Sequence, residues 1–168
     1  MARRGRRMSK RDEQGVVAVE FALLVPLLFA LLFGIVTAGL GYNNTLGLAD
    51  GVHEGSRFGA TTPNTPSWGA TVKAQAMALS YLSTTDLPAK NVCAELIMAP
   101  ATLLQTSTCS TATLDAGAEP STPANVIAGT CLVKVWGRID VPLTFVFFTT
   151  PPISVQRKSV SIYERTCP

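Results

Sequence analysis

Residues 16–36 read VVAVEFALLVPLLFALLFGIV. This apolar run decides the organisation of the chain. As a helix rising about 1.5 Å per residue it is roughly 31 Å long, close to the hydrocarbon thickness of a bilayer. Six basic residues precede it: Arg3, Arg4, Arg6, Arg7, Lys10 and Arg11. After it come Asp50, Glu54 and Arg57, with no comparable positive excess. The asymmetry predicts a single-pass helix with a cytoplasmic N-terminus and a periplasmic or otherwise extracytoplasmic C-terminal part, in the inner (cytoplasmic) membrane. A basic cluster also suits nucleic acid. Directly beside an apolar run it reads as a topology signal, and no nucleic-acid partner is expected. A cleaved signal peptide competes, with small residues at Thr37 and Gly39, but its apolar region is normally about 7–15 residues.

Outward from this run, the composition agrees. The chain has 168 residues, of which 47% are hydrophobic. Only 15% are charged, against about 25% in ordinary soluble domains. Expected boundaries are a basic leader at 1–15, a membrane helix at 16–36, its extension at 37–60, and an α+β domain at 61–168.

Two residues are unusual for a plain anchor. Pro26 lacks an amide hydrogen and frees the carbonyl of Ala22, which membrane helices tolerate when neighbours compensate. Glu20 puts a carboxylate near hydrocarbon. Intramembrane charges cost a few kcal/mol and are usually paired and functional. The plainer alternative is a shallow Glu20 that reaches the interface.

The order Gln14-Gly15-Val16-Val17-Ala18-Val19-Glu20-Phe21 resembles a type IV prepilin processing site. There a membrane peptidase cuts after the glycine, and glutamate becomes the fifth mature residue. Cleavage between Gly15 and Val16 would give Val16 an ammonium group. Glu20 of one subunit would then pair with Val16 of its neighbour. The stretch from Gly15 to Asn44, with LADGVHEGSRFGA at 48–60, is similar to the TadE-like family. These are pseudopilin-like proteins of the tight adherence (Flp pilus) system. Glu20, Phe21 and Pro26 fit its opening. Glu54, Gly55 and Arg57 fit its second motif, with His53 and Ser56 departing from the usual Arg and Ala. Ser159–Glu164 resembles its closing strand. The resemblance implies a pilin-like fold, a membrane anchor, and as partners other pilus subunits, the assembly platform and a prepilin peptidase.

Gly47, Gly51, Gly55 and Gly59 recur every four residues, making one smooth helix face suited to close packing. Equally, they weaken the helix by about 1 kcal/mol each. Leu46, Ala49, His53, Ser56 and Ala60 make a second, partly polar face. TTPNTP at 61–66 breaks the helix. A second helix is expected after a Ser67 N-cap, with Val72, Ala76, Leu79 and Leu82 at helical spacing and a loop at Thr84–Asp86 before Pro88. Strands are expected at 92–98, 130–141 and 153–163. Residues 105–125 read as a long loop. Residues 141–148 read as a strand or as an apolar segment on the membrane surface. Together these give an α+β domain with a small antiparallel sheet.

Cys93, Cys109, Cys131 and Cys167 all follow the apolar run. Their spacing does not suit a metal. Outside the cytoplasm they can form two disulfides in any of three pairings. Neither metal nor cofactor is expected. His53 is the single histidine, and no nucleophile elbow, metalloprotease or phosphate-loop motif occurs. The expectation is a structural pilus component rather than an enzyme. The alternative is an uncleaved, membrane-tethered module that binds or assembles envelope proteins.

Overall fold

The computed structural model describes residues 10–79, 91–107, 109, 119–141, 144–145, 148–149 and 151–167. Helix α1 spans Lys10–Thr61 without a break, passing through Pro26. Its 52 residues extend about 78 Å. The lower part is exposed: Val16, Phe21, Leu23, Leu31 and Ile35 are all more than half accessible. Among the described residues nothing buries its apolar window, and it is the one helix long and apolar enough to cross a membrane. Apolar side chains on all sides of a helix suit lipid rather than a one-sided core.

From Leu48 upward the helix acquires a buried face. Leu48, Gly51, Val52, Gly55, Ser56, Gly59 and Ala60 are buried. The i, i+3, i+4 spacing puts these on one side. The partly polar face expected from Leu46 through Ala60 is split instead. Leu46 and His53 are exposed, whereas Ser56 and Ala60 face the core.

Helix α2, Trp68–Leu79, follows the Pro-rich break. It buries Trp68, Val72 and Ala76. The expected positions of Leu82, Thr84–Asp86 and Pro88 lie outside the described residues, as do residues 1–9.

The strands are β1 (Asn91–Met98), β2 (Thr102–Thr106), β3 (Cys131–Val141), β4 (Thr144–Phe145), β5 (Phe148–Thr149) and β6 (Ile153–Ile162). The main sheet is antiparallel in the order β2-β1-β3-β6. The fold is thus α+β, with both helices against one sheet face. Val92, Ala94 and Leu96 of β1 and Val133, Val135 and Ile139 of β3 form the core with Leu48, Val52, Trp68 and Val72. The period-2 alternation of these strands is what sorts the core face from the outer face. Sequence reading found three of the four strands. β2 lies partly inside the stretch read as a loop, because TLLQT is short and carries no alternation of burial. β4 and β5 form a separate two-stranded ribbon.

On the outer sheet face Cys109 packs against Cys93 and Trp136, and Ser107 continues the edge pairing with β1. Ser107 Oγ accepts from the Ala94 amide at 2.8 Å, and the Ser107 amide donates to the Ala94 carbonyl at 2.8 Å. Cys93 bonds Cys109, and Cys131 bonds Cys167, with Cα separations of 5.4 and 5.8 Å. The structure thereby selects one of the three open pairings. Lys134 is buried and donates to Glu119 Oε1 at 2.8 Å. Glu95 lies opposite Lys134 in the register. Burial raises the Glu95 pKa above its ordinary 4.5; the nearby Glu119 adds to this and Lys134 opposes it.

A carboxyl with a raised folded-state pKa holds its proton more readily folded than unfolded. Stability therefore falls as pH rises above the ordinary glutamate value, and the deficit persists at neutral pH. Glu95→Gln is expected to raise the denaturation midpoint at pH 7 and change it little at pH 4, measured by urea titration at both pH values. An equal change at both would show that Glu95 ionisation is not the cause.

Candidate functional site

Two regions of α1 concentrate the residues that sequence reading singled out. The first is the start of the apolar run. Gly15, Val16, Glu20 and Phe21 are all exposed there. Val16 and Glu20 stand one turn apart on the same side of the helix. A Cβ added at Gly15 would meet nothing within 4 Å, so the backbone at the Gly15–Val16 bond is open to another molecule. Pro26 is likewise exposed. One shallow, almost wholly apolar groove on this helix is lined by Phe21, Val25, Leu28, Phe29 and Leu32. The chain therefore presents a carboxylate and an apolar surface together, and none of the described residues of its own domain covers either.

The second region is the junction of α1 with the domain. Gly55 and Gly59 let neighbours approach where side chains would collide. A Cβ on Gly55 would sit 2.6 Å from Ala76 Cβ. On Gly59 it would sit 2.9 Å from Val133 Cγ1 and 3.1 Å from the Trp68 ring. Trp68 uses that proximity to donate from Nε1 to the Gly59 carbonyl at 3.1 Å. The glycine face thus packs against α2 and β3 of the same chain. Gly51 shares the buried side, and Gly47 is only partly buried.

Ser56, between these glycines, is fully buried. Its Oγ donates to the His53 carbonyl at 2.8 Å, and lies 2.8 Å from Ser159 Oγ and 2.9 Å from Ser161 Oγ. The structure therefore joins the two separated motifs, His53–Arg57 and Ser159–Glu164, through three hydroxyls. Glu54 and Arg57 point outward and pair at 3.3 Å with both side chains about half exposed or more. That pair contributes little stability, as exposed pairs do. With Phe58, Thr61, Ser161, Ile162 and Glu164 they line an open cleft of about 550 Å³.

The end of α1 reveals a role that sequence reading missed. A helix leaves its last carbonyls without partners. Here the Glu164 amide donates to the Ala60 carbonyl at 3.0 Å and Arg165 Nε to Thr61 at 2.6 Å, and just past the helix the Tyr163 hydroxyl donates to the Thr62 carbonyl at 3.0 Å. The C-terminal segment is therefore the cap of the long helix. Cys131–Cys167 clamps that segment to β3 by closing a separation of 36 residues, a constraint worth about 3–4 kcal/mol by chain entropy. Only the tyrosine at the end of a strand pattern hinted at this, and nothing local said which carbonyl it would reach.

Among the described residues no cluster of His, Cys, Asp and Glu could hold a metal. The junction pairs its polar groups with one another and offers no aligned nucleophile and base. The arrangement suits mechanical coupling between helix and domain.

Residues 15–57 match the family described as "TadE-like protein". The match begins at the glycine of the processing-like motif and ends at Arg57, so it covers the first region and only the Gly55–Arg57 part of the second. No curated protein and no solved structure matches the chain.

Proposed function

We propose, from this TadE-like segment, that the chain is a minor pseudopilin-like, membrane-anchored component of tight adherence (Flp-type) pilus assembly and secretion. The carrying observation is the family match across 15–57, on a helix whose apolar half is left bare by the described residues of its own domain. A chain that buries its upper helix and exposes the lower one is built to be held by lipid first and by other helices later.

In this reading the basic leader stays cytoplasmic and the domain lies outside the inner membrane. The two disulfides support that side, since such bonds persist in oxidising compartments. A prepilin peptidase cuts between Gly15 and Val16. Glu20 then neutralises the new Val16 ammonium of an adjacent subunit and fixes the axial stagger between them. The assembly platform and other pilus subunits are the partners.

The deciding measurement is the first residue of the mature protein, by mass spectrometry of membranes with and without a prepilin peptidase. A peptidase-dependent start at Val16 is expected. A start at Met1 or Ala2 in both would assign the chain instead to the uncleaved, tethered envelope module.

A further inference from the structure

Among the described residues β2 pairs on one side only, with β1, and β6 on one side only, with β3. A strand edge carries unpaired amides and carbonyls and is a template for another strand. Exposed charges blunt such an edge, and on β6 Arg157 and Lys158 do so in mid-strand. The end of β6 from Ser159 to Ile162 has no charge, and neither has β2, which reads TLLQT. An open cleft borders that end of β6, lined by Ser161 and Ile162 on one side and by Phe58 and Thr61 of α1 on the other.

One row of apolar side chains joins the two edges. Leu103 of β2 stands opposite Ile97 of β1, Ile97 opposite Leu132 of β3, and Leu132 opposite Ile162 of β6. Residues directly opposite across strands share a face. Alternation puts this row on the outer face, because the adjacent Leu96 and Val133 are in the core. The two middle members, Ile97 and Leu132, are only 4% and 1% exposed, whereas Leu103 and Ile162 are 53% and 63% exposed. The row is covered in the middle and open at both ends.

Orientation restricts how the ends can be covered. Val133 lies against Gly59 and Val135 against Gly55, so β3 runs along α1 in the opposite direction. Copies anchored by α1 in one membrane, in one sense, therefore hold their sheets the same way up. In an antiparallel sheet of four strands the two edge strands run in opposite directions. Two copies placed side by side thus bring β2 of one against β6 of the next as an antiparallel pair, with Leu103 beside Ile162 on the same face. A two-fold axis normal to the sheet would turn one α1 upside down. A two-fold axis along the strands would set Arg157 and Lys158 of one β6 against those of another, and like charges directly opposite are destabilising.

We propose that β2 of one copy pairs with β6 of a second copy of this chain, extending the sheet from subunit to subunit through the Leu103–Ile162 contact. With Leu103 opposite Ile162, β2 runs beside the uncharged end of β6 and stops short of Lys158. The contact is heterologous. Each copy keeps one free edge, and repetition that does not close on itself builds a filament. The proposal rests on the membrane reading of α1, which supplies the common orientation, and is independent of cleavage at Gly15.

Differently tagged full-length chains carrying Leu103→Cys or Ile162→Cys are co-reconstituted in phosphatidylcholine–phosphatidylglycerol vesicles and oxidised. The four native cysteines are already paired, so each variant adds one thiol. Antiparallel partners have Cα atoms about 4.5–5.5 Å apart, within disulfide reach. A cross-linked dimer is expected from the mixture and from neither variant alone. Ile127→Cys, exposed but on no strand, is expected to give none with either. A dimer from one variant alone would assign a symmetric contact, and no dimer in the mixture would leave the edges to strands of other proteins; either overturns the proposal. Energy transfer between dye-labelled chains guards against misfolding of the cysteine variants. Leu103→Lys alone and Ile162→Lys alone are each expected to transfer less than their mixture, in which one variant keeps an intact β6 and the other an intact β2. Equal transfer in the three samples overturns the proposal. Carbonate extraction of the same vesicles separates the readings. A parent chain that stays with lipid while the mixtures fail overturns the edge pairing and leaves the anchor standing, whereas a chain released by carbonate overturns both.

Discussion

Gly55→Leu is expected to loosen the domain from α1 and lower its stability by about 3 kcal/mol, the upper end of ordinary overpacking. The first added carbon would lie 2.6 Å from Ala76 Cβ and 3.3 Å from Ala76 Cα. Neither atom belongs to a flexible side chain, so α2 as a whole must move. Moving it disturbs Trp68, Val72 and Ala76, which are buried against α1 and the sheet. Against a total stability of about 5–15 kcal/mol, such a loss is large. Urea unfolding of the detergent-solubilised chain, followed by tryptophan emission, should shift to lower midpoint by about 1–3 M. Gly39→Leu is the control, because a Cβ there meets nothing within 4 Å. A Gly55→Leu midpoint equal to that of the parent would show that α2 does not seat on the glycine face as described.

Glu20→Ala is expected to leave membrane insertion intact and reduce recovery of the chain in assembled fibres by about a hundredfold. Removing one carboxylate makes an already apolar helix more apolar, so insertion does not suffer. Assembly suffers because the Val16 ammonium of the neighbour would be left without its partner in a lipid-like surrounding. Breaking a buried pair from one side costs about 3–5 kcal/mol, equivalent to a factor of 10² or more. Carbonate extraction reads the first effect and quantification in sheared surface fibres reads the second. Glu20→Asp keeps the charge but shortens its reach, and an intermediate loss is expected. Normal fibre incorporation of Glu20→Ala would sink the pairing, whatever the N-terminus proves to be.

The two halves of α1 differ in how much of them was legible. Its lower half was readable because lipid imposes a rule on composition: about 20 consecutive apolar residues are needed, whatever surrounds them. The four-residue glycine spacing was readable as a packing face, but not what it packs against. Gly55 meets Ala76 and Val135, which are 21 and 80 residues further along the chain, and no local pattern encodes such distances. The role of Ser56 was hidden for the same reason. A serine in a helix ordinarily bonds its own backbone, and the second bonding partners, Ser159 and Ser161, arrive only when β6 pairs with β3.

The sequence by itself determined the anchor, the glutamate and glycine spacing that carries the family resemblance, the break at 61–66, the alternating strands and the apolar stretch after Val141. Each is a periodicity or a composition, and such signals are imposed by solvent and backbone geometry over a few turns or residues. Only the tertiary structure decided the cysteine pairing, the four-stranded order β2-β1-β3-β6, and the use of Tyr163, Glu164 and Arg165 to satisfy the carbonyls that end α1. These depend on which surfaces meet, and a hydrogen-bonding group or a thiol has the same local sequence whichever distant partner closes on it.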